Sequence, residues 1–311
     1  MKANRLKLNV AAFATLTMAL ALAACDNEEL ANDPLADGPV AAQVKAGISQ
    51  TLTRVSSSDN AASFTDGDEI HVVADDRTYD YTFNSSTWSA GNNPYYFQDR
   101  NSVSFRAWFA SPDATVETDN TIHVNTTLQD VDDDGWNVND ILVSGTVQAS
   151  VDNGATISFT GDNAFSHIMS QLVFTFKVGD GITDLSYLTG YTVKDVITDA
   201  TFNTLTCDLN GGTTTGNIQI TGITGVTDME YTAVPIILVP QTFTNTSNKF
   251  NLEVTYNGQT YKAGLNVPTG GLQPGYSYTY TVTIKNTELE VSTAEINTWT
   301  PSTGGSGDAV M

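Results

Sequence analysis

The chain has 311 residues, long enough for two ordinary domains that each bury a core. It carries 13 Lys and Arg against 35 Asp and Glu, a formal net charge of -22. That balance argues against nucleic acid or an anionic membrane surface as partner, and it suits a soluble surface protein or a binder of cations. Gly, Thr, Asn, Asp and Ser are abundant and no long amphipathic helix pattern occurs, so the composition is that of a secreted all-β protein.

Residues 1–24 combine a basic start (Lys2, Arg5, Lys7) with a mostly apolar run from Val10 to Ala24, the pattern of a signal peptide rather than a spanning helix. The run ends Leu22-Ala23-Ala24-Cys25, which resembles the bacterial lipobox. That resemblance implies cleavage between Ala24 and Cys25 and lipid on the Cys25 sulfur, the one good nucleophile there. Acyl chains stabilise the membrane-bound state by about 0.8 kcal/mol per buried methylene, so Cys25 is expected to anchor the chain in outer-membrane lipid. The acidic Asp26-Asn27-Glu28-Glu29 that follows is similar to the export signals of surface-displayed lipoproteins. Cys207 is then left without a partner, which excludes a disulfide framework and a cysteine metal site. Its place in the strand-like run Leu205 to Leu209 predicts a small buried hydrophobe.

Residues 25–43 are polar, acidic and contain Pro34 and Pro39, the composition of a flexible tether. Val44, Ala46, Ile48 and Leu52 then fall on one face of a predicted strand that Arg54 closes. Val55 to Ser63 is a Ser-rich loop by composition. Phe64-Thr65-Asp66-Gly67-Asp68-Glu69-Ile70-His71-Val72 is a turn feeding a strand. Tyr79 to Phe83, Trp88, Tyr95 to Phe97 and Val103 to Phe109 continue the β pattern, with the aromatics expected in the core or in cross-strand pairs. Ile141 to Val143, Val147 to Val151, and Ile157 with Phe159 are further strands.

The stretch from Thr156 to Val178 reads as the junction of two domains. Gly161-Asp162-Asn163 breaks one β pattern, and Leu172, Phe174, Phe176 and Val178 begin another at a period of two. His167 and Met169 are expected to pack at that junction. Beyond it, strands are predicted at Tyr191 to Val193, Val196-Ile197, Thr201 to Leu209, Ile218 to Ile220 and Ala233 to Val239. Phe250 to Tyr256 turns through Asn257-Gly258 into Tyr261 to Leu265, a strong hairpin signal. Tyr276 to Ile284, Leu289 to Val291 and Ile296 to Trp299 complete the series.

The order of these pieces resembles the fimbrillin-like lipoproteins of Bacteroidetes-type bacteria over most of residues 44–299. The residues that carry the resemblance include the Arg54-ended strand, the Gly67-Asp68-Glu69-Ile70 turn, Tyr79-Asp80-Tyr81, Phe165-Ser166-His167, Val239-Pro240-Gln241 and Leu272-Gln273-Pro274-Gly275. It implies an all-β fold of two antiparallel, transthyretin-like β-sandwich domains in tandem, 44–165 and 166–311. It also implies a fimbrial subunit or adhesin on the cell surface. In that family the first strand is removed after an Arg, which matches Arg54, and a neighbouring pilin subunit donates a strand to the open groove. Arg54 reads equally as a surface charge at a strand end. The alternative function is a lipoprotein that binds a glycan or another host or bacterial surface ligand, with Trp88 or Trp108 stacking on sugar rings.

A structural rather than catalytic role is expected. His71, His123 and His167 lie far apart in sequence, and no H-E-x-x-H, G-x-S-x-G, P-loop or dinucleotide fingerprint occurs. Asp130-Val131-Asp132-Asp133-Asp134-Gly135 fits D-x-D-x-D-G, the spacing that turns carboxylates toward one calcium ion. Trp136 would supply a carbonyl. Ile141 holds the position of the usual closing Glu, and Asp140 stands one residue before it. The same stretch also reads as a solvated acidic loop.

Overall fold

The structure, a computed structural model, describes residues 35, 38–49, 64–91, 93–129, 137–243 and 249–299. The chain is all-β. The first half contains β1 (Val40–Ala41), β2 (Gln43–Ala46), β3 (Glu69–Ala74), β4 (Arg77–Asn84), β5 (Thr87–Ala90), β6 (Tyr96–Phe97), β7 (Val103–Ala110), β8 (Thr121–Asn125), β9 (Ile141–Val143), β10 (Val147–Ala149), β11 (Thr156–Phe159) and β12 (Ser166–His167). The second contains β13 (Ser170–Val178), β14 (Leu188–Ile197), β15 (Asp199–Asn203), β16 (Asp208–Gly211), β17 (Thr215–Thr221), β18 (Glu230–Thr232), β19 (Ile236–Leu238), β20 (Lys249–Tyr256), β21 (Gln259–Asn266), β22 (Tyr276–Ile284), β23 (Leu289–Val291) and β24 (Glu295–Thr298).

The first half is built on a sheet in the order β12-β9-β7-β3-β4-β5, with β10 beside β7. Its hairpins close through pairs of residues with positive φ, Asp75-Asp76 between β3 and β4 and Ser85-Ser86 between β4 and β5. Such turns match the right-handed twist of the strands they join. On β7, Phe105, Ala107 and Phe109 point to one face and are buried. Phe105 meets Tyr95 and Phe97, and Phe109 meets Phe64. That face is closed by two short pairs, β1 with β6 and β2 with β11.

The other face of β7 carries Arg106 and Trp108, and it is covered by a sheet of three strands, β16-β15-β8. Phe202 of β15 packs edge-on against Trp108 at 5.8 Å between ring centroids. The hairpin that makes this cover comes from the second half of the sequence, yet Ala200, Phe202 and Cys207 belong to the first core. The expected single strand from Thr201 to Leu209 is therefore two strands. Cys207 keeps its expected burial but sits in the turn between them, at φ 56°. Burial pushes its thiol up to about 11. β8 and β18 had no expected strand, because their short alternations are set among Thr, Asn and Asp.

The second half places a six-stranded sheet, β18-β13-β22-β23 with β19 and β24 on the same edges, over the four-stranded sheet β17-β14-β20-β21. Leu172, Phe174, Phe176, Tyr280 and Val282 from one sheet bury against Val193, Leu252 and Val254 from the other. The Asn257-Gly258 turn has φ of 49° and 71°, as its hairpin signal requires. Most pairings are antiparallel. Two are parallel, β2 with β11 and β13 with β22.

Met169 belongs to the first core and Leu172 to the second. Between the two cores, Gln129 acts as a surrogate strand, accepting from Ile237 N at 2.8 Å and donating to Ile237 O at 2.9 Å. His167 Nδ1 and Asp140 Oδ1 are hydrogen-bonded at 2.8 Å, with both side chains wholly buried. Trp299 lies flat on the imidazole, 3.8 Å away with planes 7° apart, and is itself 1% exposed. It follows β24, whose four side chains are all exposed. Trp299 is thus the buried anchor of an otherwise superficial strand. Trp299→Ala is expected to cost about 3–5 kcal/mol in chemical denaturation. Hydrogen exchange should then show β24, residues 295–298, losing protection before its partner β22 does.

Candidate functional site: the seat of the first strand

The first strand is the place where local sequence and tertiary packing meet most directly. Strand pairing begins at Val40, ahead of the expected Val44, because β1 pairs with β6 as Val40 to Phe97 and Ala41 to Tyr96. The alternation then runs on. Ala42, Val44 and Ile48 are buried, while Gln43 and Lys45 face solvent. A buried Val or Ile side chain contributes about 1.5–3 kcal/mol. Leu52, expected on the same face, lies outside the described residues.

Backbone hydrogen bonds hold the strand first to the β6 segment and then to β11. Ala42 N donates to Tyr95 O and Gln43 N to Ala155 O, each at 2.8 Å. Val44 stands opposite Ile157 and Ala46 opposite Phe159 in the parallel ladder to β11. Gly47 N reaches Phe159 O, Ser49 N reaches Phe165 O, and Phe165 N returns to Gly47 O, each at 3.0 Å. Ile48 and Phe165 form an isolated parallel bridge. The other edge of β2 has no strand partner among the described residues. It borders a cleft of about 460 Å³ whose far wall is Phe83, Thr87, Trp88 and Ala90. The link across it is the Trp88 indole N–H, which donates to Ala46 O at 3.4 Å.

Aromatic rings floor the seat. Phe64, the first described residue after the strand, contacts Trp88, Phe109 and Phe165 edge-on within 5.6 Å. Tyr95 N donates to the Tyr81 hydroxyl at 3.2 Å. Burial, and then the Asp75 carboxylate, pushes the Tyr95 phenol up to about 12, and burial also raises Tyr81. Both rings are therefore neutral at physiological pH and serve as apolar walls.

Several expected site residues lie outside the described residues: Ala24, Cys25, Arg54, Asp130, Asp132, Asp134 and Trp136. Asp140 is described, and its carboxylate turns inward to His167 at the junction. The expected sugar-stacking role is not met by the position of Trp108, while Trp88 lines the cleft beside β2. Trp108 is 3% exposed and stacked on His71, and Trp88 is half-buried against Phe64 and Phe83. Their rings occupy core and cross-strand positions, which the strand pattern alone had offered as the ordinary alternative. Ile48→Ala is expected to lower stability by about 2–5 kcal/mol in urea unfolding, and to expose the β11 edge to hydrogen exchange ahead of global unfolding.

The sequence profile described as fimbrillin-like matches residues 44–299. Two crystal structures share the fold. A candidate cell adhesion protein from Bacteroides uniformis is 21% identical, with a TM-score of 0.63 over 85% of this chain and 100% of that one. A second from Bacteroides ovatus is 20% identical, with a TM-score of 0.61 over 84% and 98%. No curated protein matches the chain.

Proposed function

The chain belongs to the fimbrillin-like family, and from that premise we propose that it is a cell-surface pilus subunit or pilus-associated adhesin that assembles by exchange of its first strand. The family supports a fimbrial, surface-exposed role among other pilin subunits. One observation carries the finer reading. Among the described residues, β2 is inserted into the first core and has β11 as its one strand partner, and it is joined to the rest of the chain through residues 50–63, which include Arg54.

Cutting after Arg54 turns that strand into a separable peptide. Its departure strips the β11 edge of its ladder and leaves the pockets of Val44 and Ile48 open. An unpaired strand edge beside apolar pockets is the template that an incoming strand needs. The donor's main chain would supply affinity and its alternate side chains specificity. Before cutting, the same pockets are filled from within, which keeps the precursor monomeric.

In this reading Cys25 holds the chain to outer-membrane lipid until assembly, and cutting after Arg54 separates the folded part from that anchor. A second reading, a monomeric binder of neutral glycans, is favoured by a cleft at the far end of the second half. Tyr187, 57% exposed, stands there with Tyr256, Tyr261, Asn257, Gln259 and Asn286.

One measurement separates these readings, and a second tests the anchor. Incubation with an Arg-specific protease should cut after Arg54, release the first strand and produce growing particles in light scattering; Arg54→Ala should stop both. A cleanly cut chain that stays monomeric at high concentration would leave the binder. For the anchor, palmitate labelling of the native chain should be lost in Cys25→Ala, with the protein released from membranes. An unlabelled native chain would remove the anchor from this account.

A further inference from the structure

We propose that Glu69, His71 and Asp80 form a binding site for a first-row divalent metal ion, zinc being the representative, on the outer face of the β3–β4 hairpin. Glu69 and His71 are two residues apart on β3, so their side chains leave the same face. Asp80 stands directly opposite His71 in the ladder, and Thr82 opposite Glu69. Strand register therefore gathers one imidazole and two carboxylates, and a ligand atom from each lies within 4.8 Å of the others.

The separation of His71 Nδ1 from Asp80 Oδ1 is 2.7 Å. An ion bonded to both at about 2.0–2.2 Å would see them near a right angle, as neighbouring ligands of a five- or six-coordinate centre. Binding would replace the proton now shared between those two atoms.

The imidazole is held in place before any ion arrives. It stacks on Trp108 at 3.9 Å with planes 23° apart, and Trp108 is backed by Phe202. Thr82 Oγ1 donates to Glu69 Oε2 at 3.4 Å and orients the second carboxylate. Arg106, across from Val73 on the same face, directs its guanidinium away to Thr206 O and Asp208. Glu69 is exposed and Asp80 is 57% exposed, so solvent reaches the group freely. One imidazole among the ligands favours zinc over calcium, which takes oxygen ligands. Three protein ligands leave the remaining positions to water or to a donor from another molecule.

The test is calorimetric titration of the folded chain with zinc chloride and, separately, with calcium chloride. One zinc per chain is expected, with affinity weakened roughly tenfold or more by Asp80→Asn or by Glu69→Gln and lost in His71→Ala. Calcium should give no heat that depends on His71. The two carboxylate variants change exposed side chains and leave the Trp108 stack intact, so they decide the matter even where His71→Ala fails to fold. Zinc heat that is the same in all variants, or no zinc heat in the native chain at millimolar metal, overturns the site.

Discussion

The contact on which the molecule turns is the stack of Trp299 on His167, with Asp140 hydrogen-bonded beneath. Three distant parts of the chain meet there. Asp140 enters just before β9, His167 ends β12, and Trp299 follows the last strand. Removing one partner of a buried, hydrogen-bonded pair leaves the other desolvated and uncompensated, at a cost of about 3–5 kcal/mol when the pair is ionic. The geometry therefore locks the start of β13 against the first core and closes the second sheet with the same side chains. Among the described residues, neither Asp140 Oδ2 nor His167 Nε2 has a hydrogen-bond partner.

That lock explains an asymmetry between the two ends of the folded part. The last strand carries exposed side chains but ends on a buried tryptophan in a flat stack. The first strand carries buried side chains, Ala42, Val44 and Ile48, yet among the described residues its β2 part is laddered to β11 on one edge and borders a cleft on the other. A strand held by apolar pockets and one ladder can be replaced by another of the same pattern, since the pockets read alternate side chains and the ladder reads only backbone. The stability of the seat and its capacity to accept a substitute have the same physical source.

The outer face of the first sheet serves a different purpose. The β8–β15–β16 cover brings residues from both halves of the sequence into one core, so the halves are joined by shared strands as well as by the junction. Where that cover ends, His71 emerges beside Trp108 with Glu69 and Asp80 around it. The same packing that buries the tryptophan orients the imidazole. A rigid core edge and a polar cluster are thus parts of one arrangement.

Alternation is a local property, and it survived folding. The β identity of the chain, the faces of β7, β13, β20 and β22, and the hairpin at Asn257-Gly258 all follow from period-two patterns and turn residues that need no distant partner. The inward face of the first strand was legible for the same reason, as was the burial of His167 and Met169 at the break in pattern. Partner choice is not local. No feature of Asp199 to Gly211 says that it folds back as a hairpin onto β8, because backbone hydrogen bonding carries no address. Trp108 was expected to pack, but the strand pattern did not name His71 and Phe202 as the rings it packs against. The grouping of Glu69, His71 and Asp80 likewise depends on a register that only the folded β3–β4 pair sets, since a shift of one residue would send Asp80 to the opposite face. Sequence by itself determined which residues turn inward; the tertiary structure decided what they turn toward.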